Sequence, residues 1–85
     1  MKITLRFFAS VREALGTSQE ELTLPDGVNT VGGVRQHLLQ RGGEWARALS
    51  EERALRMACN QVMCNADKAI EDGAEVAFFP PVTGG

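Results

Sequence analysis

Hydrophobic and polar positions alternate at the start of the chain. Ile3, Leu5 and Phe7 fall on one side, and Thr4, Arg6 and Phe8 on the other. That period of two predicts a half-buried strand over 2–8. The period then lengthens. Val11, Ala14 and Leu15 stand at helical spacing, so 9–15 reads as a short helix with Ser10 as candidate cap and Gly16 as its stop. Alternation returns over 18–24, with Leu22 and Leu24 inward, and a strand so close to the first should pair with it. Pro25-Asp26-Gly27 is a turn, because proline fixes φ and glycine takes positive φ. Thr30 is a good N-cap for the main helix, which should run to about Gln40 with Val31, Val34 and Leu38 as its buried stripe and Leu39 beside it. Gly32 and Gly33 sit in its first turn at about 1 kcal/mol each relative to alanine. Close packing against the sheet is the expected reason. His37 is placed on the surface.

Arg41-Gly42-Gly43 ends this helix, and 44–50 predicts another helical turn or two, with Trp45 and Leu49 at the edge of the core. Residues 55–59 read as a strand, Asn60-Gln61 as a two-residue hairpin turn, and 62–64 as the return. That register sets Cys59 opposite Val62 and Met57 opposite Cys64 on one face, leaving Ala58 and Met63 on the other. Ile70 is expected to be buried in the connection that follows. Asp72-Gly73 turns the chain into a last strand over 74–79, with Val76 and Phe78 inward and Ala77 and Phe79 outward. The order fits an α+β fold of about five strands in one mixed sheet, wrapped around one main helix with short helices besides. The first and last strands should be central, parallel neighbours, the rest of the chain acting as their crossover.

These phases leave Phe8, Met63 and Phe79 facing away from the helix, with Ala58 and Ala77 between them. Large apolar side chains turned to water mark a partner surface. A slip of one residue in register would instead turn them inward. Directly after Phe79, Pro80 and Pro81 stop the strand and favour an extended exit. Val82 and Thr83 follow, and Gly84-Gly85 close the chain without side chains. The expectation is one domain over 1–85, with 80–85 an extended, flexible tail suited to a narrow active site.

Composition narrows the function classes. Of 85 residues, 44% are apolar and 24% charged, which is ordinary for a soluble globule. Net charge is −2 with no basic run, so nucleic-acid binding has no electrostatic footprint. No apolar stretch approaches the roughly 18 residues of a membrane span, and the start lacks a signal-peptide block. A cytoplasmic protein is expected. Cys59 and Cys64 are too few for a disulfide framework and lack zinc spacing. They read as two small buried thiols, with a sulfur-relay cysteine as the alternative. No metal site is expected.

The stretch Asp72-Gly73-Ala74-Glu75-Val76-Ala77-Phe78-Phe79-Pro80-Pro81-Val82-Thr83-Gly84-Gly85 resembles the ending of the ubiquitin-like sulfur carriers that form the small subunit of molybdopterin synthase. Phe7-Phe8-Ala9-Ser10-Val11-Arg12-Glu13, Thr30-Val31 with Val34-Arg35-Gln36-His37-Leu38, and Cys59-Asn60-Gln61 resemble that family too. Gly32-Gly33 departs from it, since the family more often has helix formers there. The resemblance spans essentially the whole chain.

The resemblance implies a ubiquitin-like β-grasp fold and a sulfur-carrier role. An ATP-dependent, ubiquitin-activating-type adenylyltransferase (with Mg) would adenylate the Gly85 carboxylate, and a sulfur donor enzyme would convert it to a thiocarboxylate. The tail would then enter the large synthase subunit, in a heterotetramer, and give its sulfur to cyclic pyranopterin monophosphate in molybdenum cofactor biosynthesis. Gly84 would supply clearance, and Pro80, Pro81, Val82 and Thr83 would thread the partner. Phe8, Met63 and Phe79 would contact the large subunit, with Arg12 in a polar rim. No side chain reads as a general acid or base, and no cofactor is expected on the chain, so catalytic side chains belong to partners and the chain is a non-catalytic sulfur-donor subunit. A thiamin-pathway sulfur carrier or a ubiquitin-like protein modifier are the alternatives.

Overall fold

A computed structural model of the chain describes residues 1–81. The expectations for Val82, Thr83, Gly84 and Gly85 lie outside those residues. Five strands and three helices follow in the order β1 (Lys2–Phe7), α1 (Ala9–Leu15), β2 (Gln19–Thr23), α2 (Val31–Leu39), α3 (Gly43–Ala48), β3 (Arg56–Cys59), β4 (Val62–Cys64) and β5 (Glu75–Phe79). The strands form one mixed sheet in the order β2-β1-β5-β3-β4. β1 and β5 run parallel, with Phe7 beside Phe78, and the other three pairings are antiparallel. The α+β architecture and the parallel first and last strands are as the order of elements predicts.

Side chains of one phase build the core. Ile3, Leu5, Phe7, Val76 and Phe78 point from the sheet to Val31, Val34 and Leu38 of α2, and all eight are essentially inaccessible. Phe7 stacks on Phe78 at 6.4 Å between ring centroids and meets Trp45 edge-on at 5.6 Å. Such aromatic pairs add about 0.5–1.5 kcal/mol each beyond the area they bury. Leu49 is fully buried rather than at the edge of the core. Only Trp45 stays partly open, its ring covered by the Arg41 guanidinium at 4.3 Å. Arg41 also donates to both carboxylate oxygens of Glu20 at 3.0 and 2.5 Å, tying β2 to the end of α2.

Turns and caps follow from local chemistry. The Thr30 hydroxyl accepts from the Gly33 amide at 3.0 Å and so caps α2. Asn60 and Gln61 both hold positive φ, 51° and 68°, giving the mirror-image turn that matches hairpin twist. Cys59–Val62, Ala58–Met63 and Met57–Cys64 pair as expected.

Three further local expectations are corrected. The strand ends at Phe7, and the cap of α1 is Phe8, with no side-chain cap bond, rather than Ser10. The chain reverses one residue earlier than expected, through Ala9 at φ 51°, which places Ser10 inside the first helical turn. Gly32 is packed tightly, but against the loop after β4 instead of the sheet. Its amide donates to the Ala66 carbonyl at 2.9 Å, and a Cβ there would lie 2.9 Å from the Ala66 methyl carbon. Ala58 and Ala77, read as part of an exposed set, are buried on the outer face because larger neighbours shade them.

One feature was invisible to periodicity. Arg35 is buried within α2. Its Nε donates to the Leu49 carbonyl at 2.7 Å, and Nη2 donates to the carbonyls of Ser50 and Arg53 at 2.5 and 3.1 Å. The guanidinium therefore organises the loop from α3 to β3, with Glu51 as an exposed counter-ion at 3.8 Å.

Candidate functional site

The sheet has a helix-covered side and an open side. On the open side one row runs Gln19, Arg6, Ala77, Ala58, Met63 across all five strands. The next row toward the C-terminal end of β5 holds Phe79 beside Arg56, and Phe8 leans onto it. Phe8 and Phe79 meet edge-on at 6.1 Å between centroids. The sharp exit of the chain from β1 accounts for this, since Phe8 keeps the outward phase of the strand while α1 turns to the other side. Phe8 is 40% exposed, Met63 54% and Phe79 partly. Ala58 and Ala77 form a shallow floor between the aromatic pair and the methionine. The structure thus brings Phe8 and Phe79 into contact, with Met63 across the alanine floor on edge strand β4.

Arg12 is exposed on α1, one turn beyond Phe8, its amide directed at the Phe8 carbonyl at 3.3 Å. Its place relative to the aromatic pair is set by that helical turn rather than by a side-chain contact. Arg6 is the site residue that sequence reasoning passed over. Its guanidinium lies 5.5 Å from the centroid of the Phe8 ring and 4.0 Å from Glu75. The signal was available in the alternation, which puts Arg6 on the same face as Phe8.

Pro80 and Pro81 leave the centre of the sheet next to a cleft of about 360 Å³ between α1, α3 and the 53–55 segment. Val11, Ala14, Ala48 and Leu55 give that cleft an apolar wall, and Arg47 and Arg53 stand at it as well. The root of the tail is therefore set by the central strand and flanked by two helices.

Cys59 is buried and Cys64 half-buried, and they lie on the helix-covered side at diagonal positions of the hairpin. Burial pushes the Cys64 thiol up, the nearby Cys59 adds to this, and Lys68 opposes it weakly. That is the opposite of what activates a sulfur nucleophile. Among the described residues no group of three or more His, Cys, Asp or Glu side chains is placed to hold a metal ion. No helix among them is long and apolar enough to cross a membrane.

Comparison with known proteins places the chain. A family model described as the ThiS family matches residues 5–85. The molybdopterin synthase sulfur carrier subunit of Haemophilus influenzae is 43% identical over 98% of this chain and 99% of its own length. Its namesake in Escherichia coli is 46% identical with the same coverage. Among solved structures, SAMP1 from Haloferax volcanii shares the fold at a TM-score of 0.76, with 24% identity and both chains fully covered. A chain from the complex of subunits 1 and 2 of molybdopterin-converting factor from Helicobacter pylori shares it at 0.68, with 21% identity and both chains fully covered. The fold is the ubiquitin-like β-grasp, and this chain belongs to the ThiS family, similar along its whole length to molybdopterin synthase sulfur carrier subunits.

Proposed function

We propose that this chain is the sulfur carrier subunit of a molybdopterin synthase, working through the carboxylate of Gly85. The observation that carries this reading is the similarity to curated carriers at 43% and 46% identity along whole chains, with a family match that runs through residue 85. The geometry at the root of the tail supports it, because the strand that leads to Pro80 is the centre of the sheet and the aromatic pair lies beside that exit.

The chemistry needs activation first. A free carboxylate is a poor acyl donor, since oxide would have to leave. A ubiquitin-activating-type enzyme, using ATP and Mg, attaches AMP to the Gly85 carboxylate with release of pyrophosphate. A sulfur nucleophile supplied by a donor enzyme then displaces AMP and leaves a thiocarboxylate, which splits one difficult step into two easier ones. Tethering that sulfur to a protein raises its effective concentration at the acceptor, cyclic pyranopterin monophosphate. Gly84 and Gly85 let both enzymes close around the backbone, and Val82, Thr83, Pro80 and Pro81 thread the entry. Phe8, Met63 and Phe79 dock on the large subunit, with Arg12 at the rim, so that docking and delivery are one event. Two carriers and two large subunits form the complete synthase. General acids and bases come from the partners.

The test is intact mass after incubation with ATP, the activating enzyme and a sulfide source. Exchange of oxygen for sulfur adds about 16 Da. No gain under conditions that charge a known carrier sinks the reading. Adducts on lysines would favour a protein modifier instead. A charged chain that fails to make molybdopterin with the large subunit would favour the thiamin-pathway carrier. Removal of Gly85 should abolish charging while the melting temperature stays the same.

A further inference from the structure

Resting on that reading of the outer face as the large-subunit surface, we infer that Arg6 is a specificity-determining contact which requires an acidic side chain on the partner. Arg35, which is buried, and Arg41 are well supplied. Arg35 donates to three carbonyls and Arg41 to both oxygens of Glu20. Arg6 differs from both. Among the described residues its Nε is buried without a hydrogen-bond partner, and the one ion-pair neighbour there, Glu75, stands 4.0 Å away, beyond good hydrogen-bond reach. The rest of the guanidinium remains accessible, the side chain being 36% exposed.

Its position turns this shortfall into a selection rule. Arg6 lies on the open side in the same row as the alanine floor and against the Phe8 ring. A partner that covers Phe8, Phe79 and Met63 also removes water from Arg6. An arginine cannot shed its proton, so it must then find an acceptor or stay buried and unpaired, which is strongly unfavourable. A carboxylate meets the planar fork with two parallel bonds, and a small rotation of the guanidinium presents Nε and a terminal nitrogen together. Glu75 is too distant to serve that role in place. Arg56, exposed beside Phe79, adds positive charge to the same end of the face. An apolar partner surface of matching shape is rejected at Arg6, which is discrimination by an unpaired group.

The experiment measures binding of the intact chain to its cognate large subunit by calorimetry at low and high salt. Arg6→Leu should weaken binding about 10- to 100-fold, because it strands the partner's carboxylate. Its affinity should also depend less on salt than the parent's. Arg6→Lys should recover only part, since a point charge replaces the fork. Lys2→Leu, at the far end of the same face, should bind as the parent does. Equal or tighter binding by Arg6→Leu overturns the inference, as does an equal loss from Lys2→Leu, which would mean net charge alone. If Arg6→Leu melts early, Arg6→Lys carries the test, and parent-like affinity and salt dependence in it overturn the inference. Failure of the parent chain to bind the large subunit at all refutes the underlying reading instead, and is seen before any variant is made.

Discussion

Replacing Arg35 by methionine tests how much of the molecule hangs on one buried cation. Methionine keeps most of the stem's volume, so the change removes charge and donors rather than packing. Three carbonyls, of Leu49, Ser50 and Arg53, lose their donor. Hydrogen bonds to a charged group contribute about 1.5–3 kcal/mol each. The sum is an upper bound, because Ser50 and Arg53 lie near the surface and water can replace part of the loss. Relief of the cost of burying the cation offsets more. The Leu49 carbonyl is the one that stays dry. The expected net loss is about 3 kcal/mol, a large share of the roughly 5–15 kcal/mol that holds a domain together. For a chain of this size it corresponds to a fall in Tm of about 12–24 °C. Urea denaturation followed by circular dichroism measures it, with the slope m checked for constancy so that the midpoint shift reports stability. A loss below about 1 kcal/mol would refute the account, since it would mean that the three bonds contribute no more than solvent does. The 53–55 segment also borders the cleft at Pro80 and Pro81. Conditions in which Arg35→Met remains folded should therefore still show weaker docking of the large subunit.

Phe79→Asp should lower affinity for the large subunit far more than it lowers Tm, because Phe79 is only partly buried and packs on exposed Phe8. Comparing calorimetric affinity with thermal melts checks this, and the reverse ranking would make Phe79 a core residue. Gly32→Ala should destabilise by about 1–3 kcal/mol, despite alanine's better helix propensity, because its Cβ meets the Ala66 methyl carbon at 2.9 Å and the Ala66 carbonyl oxygen at 3.0 Å. Denaturant midpoints of Gly32→Ala, with Ala66→Gly as a rescuing partner, test it. Cys64 has its thiol raised by burial, so the folded state holds that proton more tightly than the unfolded one. Its contribution to stability is complete below the ordinary thiol value of about 8.5 and is lost as pH rises through the folded value. Comparing the pH dependence of stability in the parent and in Cys64→Ser above pH 8 checks the sign. Alkylation of Cys64 in the folded chain should accordingly lag behind that of a free thiol.

Alternation made the sheet readable, since each strand has one face in a dry core and one outside. The hairpin was legible to the residue because a two-residue turn leaves no freedom in register. Arg35 was not legible. It occupies a helical position flanking the stripe, and its acceptors are backbone carbonyls from a loop that has no period and no marker residue. The Gly32 contact was hidden for a related reason, as the backbone it touches comes from a connection whose path is set by the rest of the fold. At the site, exposed Phe8 and Met63 follow from phase alone. The burial of Ala58 and Ala77 does not, because small side chains are shaded by neighbours that phase counting ignores. The tendency of Phe8 to cap α1 escaped notice because a serine two residues on offered a conventional cap.

The parallel pairing of β1 with β5 has a kinetic consequence. Lys2 and Asp72, which meet at its edge, stand 70 residues apart in the chain. Closing so long a loop costs entropy before any contact repays it, so this pairing should form late in folding. Phe8 and Phe79 come from the two sides of that closure. The aromatic face is therefore assembled only in chains that have finished folding, and a partner that recognises it samples completed carriers and passes over those still being made.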